Sequence, residues 1–239
     1  MSSPQCCSNP PILNSSSGEG HVEKLGVLDS YVSGSPNSKL AVILVSDIFG
    51  YEPPQFRELA DKIAAAGFFV VVPDFFHGDP YPNDDFSGVA IWLKEHGTDK
   101  GFEEAKPLIE DLKSRGFSAM GAAGFCWGAK VVIDLAKFDN FIRAAALLHP
   151  ALVTADDFKG VKVPVAVLGA EIDISAPPEL VKQFEEVLNV KPEIDSFVKI
   201  YPGTEHGWTL RYDVTDEAAV KHAEESHKDL LEWFTKHVK

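Results

Sequence analysis

The sequence predicts one α/β domain, a mostly parallel sheet with helices on both faces. Three observations predict it. Short continuous apolar runs, as expected of strands buried on both faces, alternate with helix-like segments along all 239 residues. A glycine-flanked cysteine, Gly124-Phe125-Cys126-Trp127-Gly128, stands where one such run passes into a helix. No internal repeat or linker divides the chain, and 45% apolar residues suffice for one large core.

Residues 1 to about 20, rich in Ser, Pro, Asn and Gly, read as a flexible tail, and residues 21–239 as the domain. Val22–Val32, broken by Gly26, suggests one or two short strands, and Gly34-Ser35-Pro36-Asn37 a turn. Leu40–Ser46 is a buried strand; Pro53 and Pro54 open a helix that runs to Ala66 and stops at Gly67. Phe68–Val72 is the next strand, closed by Pro73, and Asp74–Phe86 is a loop. Helices are expected over Val89–His96 and Glu103–Arg115, then the strand Ser118–Ala123 and a helix over Ala129–Ala136. Strands follow at Arg143–Leu148, Val163–Gly169 and Ser196–Tyr201, with helices at Pro178–Leu188 and Asp216–His237.

Composition narrows the function. A formal net charge of −14 argues against nucleic acid and anionic membrane surfaces as partners. No run of eighteen apolar residues offers a transmembrane helix. The N-terminus lacks the basic and apolar regions of a secretory signal and the Arg-rich pattern of a transit peptide. Three cysteines, two of them adjacent at Cys6 and Cys7, make no disulfide framework, so a reducing compartment, the cytosol, is expected. Cys6 and Cys7 read as exposed thiols of the tail rather than an acylation or metal site.

A glycine, a nucleophile and a second glycine at a strand-to-helix turn form the nucleophile elbow of the α/β-hydrolases, here with cysteine. The turn strains the nucleophile's backbone, and a Cβ on either flanking glycine would collide with a neighbouring element. In that fold the acid and then the histidine follow later strand ends. After Val163–Gly169 comes Ala170-Glu171-Ile172-Asp173, which makes Asp173 the acid and Glu171 its rival. After Tyr201 comes Pro202-Gly203-Thr204-Glu205-His206-Gly207-Trp208, which makes His206 the base. His149, at the end of an earlier strand, is expected to pack or hydrogen-bond locally, and the remaining histidines lie in the tail, in the 74–86 loop or on helices. Trp127 N–H, at the start of the elbow helix, and Ile48 N–H, after the strand Leu40–Ser46, are the expected oxyanion donors. The helix terminus and His206 are expected to raise the thiolate fraction of Cys126.

Gly-Phe-Cys-Trp-Gly at 124–128, Glu-Ile-Asp at 171–173, Glu-His-Gly-Trp at 205–208 and Asp47-Ile48-Phe49-Gly50 together resemble the dienelactone hydrolase family, over the chain from about residue 20 onward. Cys-Cys-Ser-Asn-Pro-Pro near the start and Pro-Asp-Phe-Phe-His-Gly-Asp-Pro at 73–80 look most like its eukaryotic, plant-like branch. The resemblance implies a Cys126-His206-Asp173 triad, a thioester intermediate, a small ester or lactone as substrate, and no metal or organic cofactor; a monomer and a homodimer are both open expectations. Two positions depart from the bacterial pattern. Asp47 stands where those enzymes carry glutamate. Of the two arginines that hold their substrate's carboxylate, one is missing from Phe75-Phe76-His77-Gly78, and the other has Arg211, five residues past His206 on a surface loop, as its nearest counterpart. Asp47, Phe49, Phe76, His77, Trp208 and Arg211 are the candidate binding residues, and Phe49, Phe75, Phe76, Trp127 and Trp208 form the expected aromatic pocket or core. Two other readings are a ligand-sensing α/β-hydrolase with little turnover and a glycoside hydrolase. The latter needs two carboxylates flanking the scissile bond, and no strand-end pair is better placed than the triad.

Overall fold

The computed structural model describes residues 5, 10–11, 17–82 and 87–239; Cys6 and Cys7 lie outside them. Its elements, in order, are β1 (His21–Leu25), β2 (Leu28–Ser33), β3 (Leu40–Val45), α1 (Pro54–Ala65), β4 (Phe69–Pro73), α2 (Val89–Glu95), α3 (Thr98–Ser114), β5 (Ala119–Phe125), α4 (Trp127–Leu135), β6 (Ala144–Leu148), α5 (Ala155–Lys159), β7 (Val165–Ile172), α6 (Pro178–Asn189), β8 (Ser196–Glu205) and α7 (Glu217–His237). The sheet runs β1-β2-β4-β3-β5-β6-β7-β8. Strands β3 to β8 pair in parallel, while β1 with β2 and β2 with β4 pair antiparallel.

The two-residue period of β3 shows how the strands serve two cores. Val42 and Leu44 face one apolar cluster with Phe56 and Leu59 of α1 and Trp233 and Phe234 of α7. Ala41, Ile43 and Val45 face the other, with Leu108 of α3, Val131 of α4, Phe158 of α5 and Phe184 of α6. Both faces of the parallel strands are therefore dry, which is why their sequences read as unbroken apolar runs. Among the described residues no helix is long and apolar enough to cross a membrane.

Four local expectations shift. The helix expected from Glu103 begins at Thr98. Gly101 lies inside its first turn, where a Cβ would come within 2.6 Å of the Trp127 ring. The short helix α5 was not foreseen; Thr154 and Asp157 close a capping box on it. Strand β7 runs past Gly169 to Ile172, and β8 runs past Tyr201 to Glu205. The last pair is irregular: Ala170 lies opposite Tyr201, but Ile172 lies opposite Glu205, so the ladder bulges through Pro202-Gly203. Gly203 takes φ 71° there and donates its N–H to Glu171 at 2.7 Å. Proline and glycine thus mark a bulge and not the strand's end.

Candidate active site

Cys126 follows β5, Asp173 follows β7 and His206 follows β8, all at the C-terminal edge of the parallel strands. Adjacent strand ends are where an α/β sheet gathers side chains from distant parts of the chain.

At the elbow, Cys126 has φ 51° and ψ −109° and is buried. A non-glycine residue rarely adopts such a conformation unless its surroundings force it. The flanking glycines provide that force. A Cβ on Gly124 would lie 2.3 Å from Gly128 O, and one on Gly128 would lie 2.2 Å from Val45 O. The turn is also hydrogen-bonded on both sides. Cys126 N donates to Leu148 O at 3.2 Å, and Ala151 N donates to Cys126 O at 3.0 Å. Strands β3 and β6 thereby clamp the elbow between them.

His206 and Asp173 form a buried pair. His206 Nδ1 lies 2.8 Å from Asp173 Oδ2, and neither side chain is exposed. The other carboxylate oxygen accepts Ser175 N at 2.7 Å and Ala176 N at 3.2 Å. This aims Asp173 from its own loop. Glu171 points elsewhere, to Gly203 N. Local sequence named Asp173 with Glu171 as its rival, and the side chain that meets His206 is that of Asp173.

The two expected backbone donors belong to the loop after β3 and to the start of α4. In the loop after β3, Phe49 N donates to Asp47 Oδ1 at 2.9 Å and Gly50 N to Asp47 O at 3.2 Å. With those two spent within the loop, Ile48 N–H has no acceptor among the described residues. At the elbow, Gly128 N donates to Ser46 O and Ala129 N to Cys126 O. Trp127 is the first residue of α4, where an N–H lacks an intrahelical acceptor.

The other expected site residues divide between the interior and the surface. Arg211 is not on the surface. The turn from His206 to Arg211 brings it back over Gly207, which has no Cβ to obstruct the guanidinium. Its side chain is 2% exposed, its Nε lies 3.5 Å from Asp47 Oδ2, and its guanidinium lies over the Phe49 ring at 5.1 Å. Phe76 is buried, edge-on to Trp127 at 4.9 Å, and Phe75 lies 6.1 Å from the same ring. Trp208 is buried against Tyr201 and His149. His77 is set apart. Asp74 accepts Phe76 N and Gly78 N, turning both phenylalanines inward, while His77, at φ 53°, stays exposed and bonds Glu104 at 2.9 Å.

His149 has a larger place than local packing suggests. Its ring lies 5.0 Å from the His206 ring, edge to face, and 6.0 Å from Phe125 of the elbow strand. Nε2 is 2.8 Å from Thr209 Oγ1. Burial above all, then the neighbouring His206 and Arg211, hold its pKa well below the ordinary histidine value, so it is uncharged at neutral pH. His227 of α7, buried as well, reaches Thr209 O through Nε2 at 2.8 Å, and burial lowers its pKa to about 4. The segment after His206 is thus pinned at Thr209 by two neutral imidazoles. The signal for His149 was its position at a strand's C-terminal end; nothing local in the sequence marked His227.

Among the described residues no three of His, Cys, Asp and Glu converge as a metal ion would require.

Residues 28–238 match the profile of the dienelactone hydrolase family. A Zea mays protein named endo-1,3;1,4-beta-D-glucanase is 43% identical over 196 residues, 80% of this chain. The chain spans 63% of that relative's length. A carboxymethylenebutenolidase homolog from Mus musculus is 33% identical over 226 residues, 92% of either protein. A Klebsiella pneumoniae crystal structure, provisionally named a dienelactone hydrolase, superposes with a TM-score of 0.75 over 88% of this chain and 93% of its own. At 20% identity that is a likeness of fold.

Proposed function

Since the chain belongs to the dienelactone hydrolase family, which makes it an ester or lactone hydrolase, we propose that it cleaves small activated esters or lactones through Cys126, with His206 as base and Asp173 as orienter. The observation that carries this reading is the buried His206–Asp173 pair at the sheet edge where the elbow presents Cys126.

Asp173 fixes the His206 tautomer with hydrogen on Nδ1, which leaves Nε2 to accept the thiol proton. The thiolate attacks the acyl carbon, and the N–H groups of Trp127 and Ile48 receive the developing oxyanion. As the tetrahedral species collapses, His206 returns the proton to the leaving alkoxide or enolate, and the acyl group stays on sulfur as a thioester. Water, deprotonated by His206, attacks the thioester and the thiolate leaves. His149 suits this cycle because it is neutral. The imidazolium that forms on His206 then has no second positive ring against it.

The maize relative's name suggests a second reading, glucan hydrolysis, which takes a free acid–base pair of carboxylates. The three buried acids at this edge favour the ester reading: Asp173 is committed to His206, Asp47 to Phe49 N and Arg211, and Asp74 to Phe76 N and Gly78 N.

The test is p-nitrophenyl acetate hydrolysis by the protein and by Cys126→Ala, with mass-spectrometric mapping of iodoacetamide on each cysteine, and reducing-sugar release from mixed-linkage β-glucan in parallel. The reading requires ester turnover and labelling at Cys126 to disappear together in the variant, with an acyl adduct trapped on Cys126 at low pH. Ester turnover that survives Cys126→Ala, or glucan turnover without ester turnover, overturns it.

A further inference from the structure

The acid loop is held by a residue that the sequence places in the tail. Gln5 lies 167 residues from Ile172, yet its Nε2 donates to Ile172 O at 3.1 Å. Its Oε1 accepts Ile174 N at 2.6 Å. A carboxamide carries one acceptor and a pair of donors in a plane, as a peptide group does. Gln5 therefore meets the C=O before Asp173 and the N–H after it much as a neighbouring strand would.

The loop has reason to need such a partner. Pairing of β7 with β6 stops at Leu168, whereas pairing with β8 continues to Ile172, so the end of β7 has a single neighbouring strand. Ile172 and Ile174 are 50% and 66% exposed, and packing gives little hold on the backbone between them. Asp173 ties down Ser175 N and Ala176 N from within the loop. The groups directly flanking Asp173 are tied down by Gln5.

We infer that Gln5 is a positioning residue for the proposed triad, acting through Asp173. By fixing Ile172 O and Ile174 N it sets the direction of the carboxylate that orients His206. This rests on the triad reading above, and it makes Gln5 part of the active-site framework.

The experiment uses the full chain with Gln5→Ala and Gln5→Glu, p-nitrophenyl acetate kinetics from pH 5 to 8, thermal unfolding, and amide hydrogen exchange at Ile174. The expected result for Gln5→Ala is a kcat about 2–10-fold lower, the net worth of one or two hydrogen bonds, with KM and Tm close to the parent. Ile174 exchange should be faster by about tenfold on the same grounds. Gln5→Glu keeps the shape but sets a carboxylate oxygen against Ile172 O. Its deficit should shrink as pH falls toward the carboxyl range of about 4.3, where the protonated side chain donates again. If kcat of Gln5→Ala equals the parent's, whether or not Ile174 exchange changes, the positioning role is overturned. If KM and Tm move while kcat does not, Gln5 serves the fold alone and the role is again overturned. Cys126→Ala separates the two claims. A dead Cys126→Ala beside an unaffected Gln5→Ala removes only this inference, and an active Cys126→Ala removes the triad reading itself.

Discussion

At the elbow, Cys126 sits at φ 51° because two glycines abut backbone, Gly124 against Gly128 O and Gly128 against Val45 O. Across the site, His206 sits where side chains from distant positions hold it: Asp173 on Nδ1, the His149 ring alongside, and His149 with His227 pinning Thr209 three residues on. The elbow is fixed by hard contacts that admit almost no change of residue. The proposed base is fixed by hydrogen bonds among buried neutral or paired groups, each worth little and together decisive. The elbow half of the site should therefore fail abruptly on substitution, and the half around His206, the proposed base, gradually or with pH.

The proposed orienter tests the functional side of this contrast first. Asp173→Asn keeps the size of the side chain but loses the charge that stabilises an imidazolium, so kcat/KM should fall by about 10³–10⁴-fold. Tm should change much less, because the pair is built for His206 and not for the core. A kcat/KM within tenfold of the parent would place the orienter elsewhere.

Gly128→Ala tests the hard-contact side. Its Cβ meets main chain with nothing flexible to yield, and destabilisation of about 3–5 kcal/mol is expected, at the high end for one substitution. Denaturant unfolding measures it. A loss under 1 kcal/mol would mean that β3 can move away from the elbow.

The histidine pins make the base's half sensitive to acid. His227 has its folded pKa lowered to about 4, against an ordinary value of 6.5. From pH 6.5 down to about 4 the unfolded chain takes up that proton and the folded one does not, so stability falls with falling pH across this window and levels off below it. The full effect is on the order of 3 kcal/mol. His149, shifted in the same direction, adds to it. His227→Gln should flatten the dependence of Tm on pH between 7.5 and 5; an unchanged slope would deny that His227 is the sensor.

The smallest effect is expected at Thr209. Thr209→Val orphans His149 Nε2 inside the protein, at a cost of about 1–3 kcal/mol. If the pin serves His206, kcat should fall with KM unchanged, whereas equal stability loss with an unchanged kcat would confine Thr209 to the fold.

What could be read beforehand follows the same division. The elbow was legible because its constraint is contained in five consecutive residues, and steric rules on glycine act at that range. The order of Cys126, Asp173 and His206 was legible because apolar runs mark strands, and strand ends locate loops. Where a run contained glycine or proline for a tertiary reason, the reading broke the element too early. Gly101 makes room for Trp127, and Pro202-Gly203 makes the bulge of β8.

By itself the sequence determined the alternation of strands and helices, the strained turn at Cys126 and the two later loops that carry an acid and a histidine. Those features depend on backbone sterics and on hydrophobic periodicity, which operate within a few residues. The tertiary structure alone decided that Arg211 is buried beside Asp47, that His149 and His227 meet at Thr209, and that Gln5 spans Asp173. Each of these is a pairing of polar groups far apart in the chain. A buried donor or acceptor must find some partner, but which one it finds depends on the strands and turns that bring the two together.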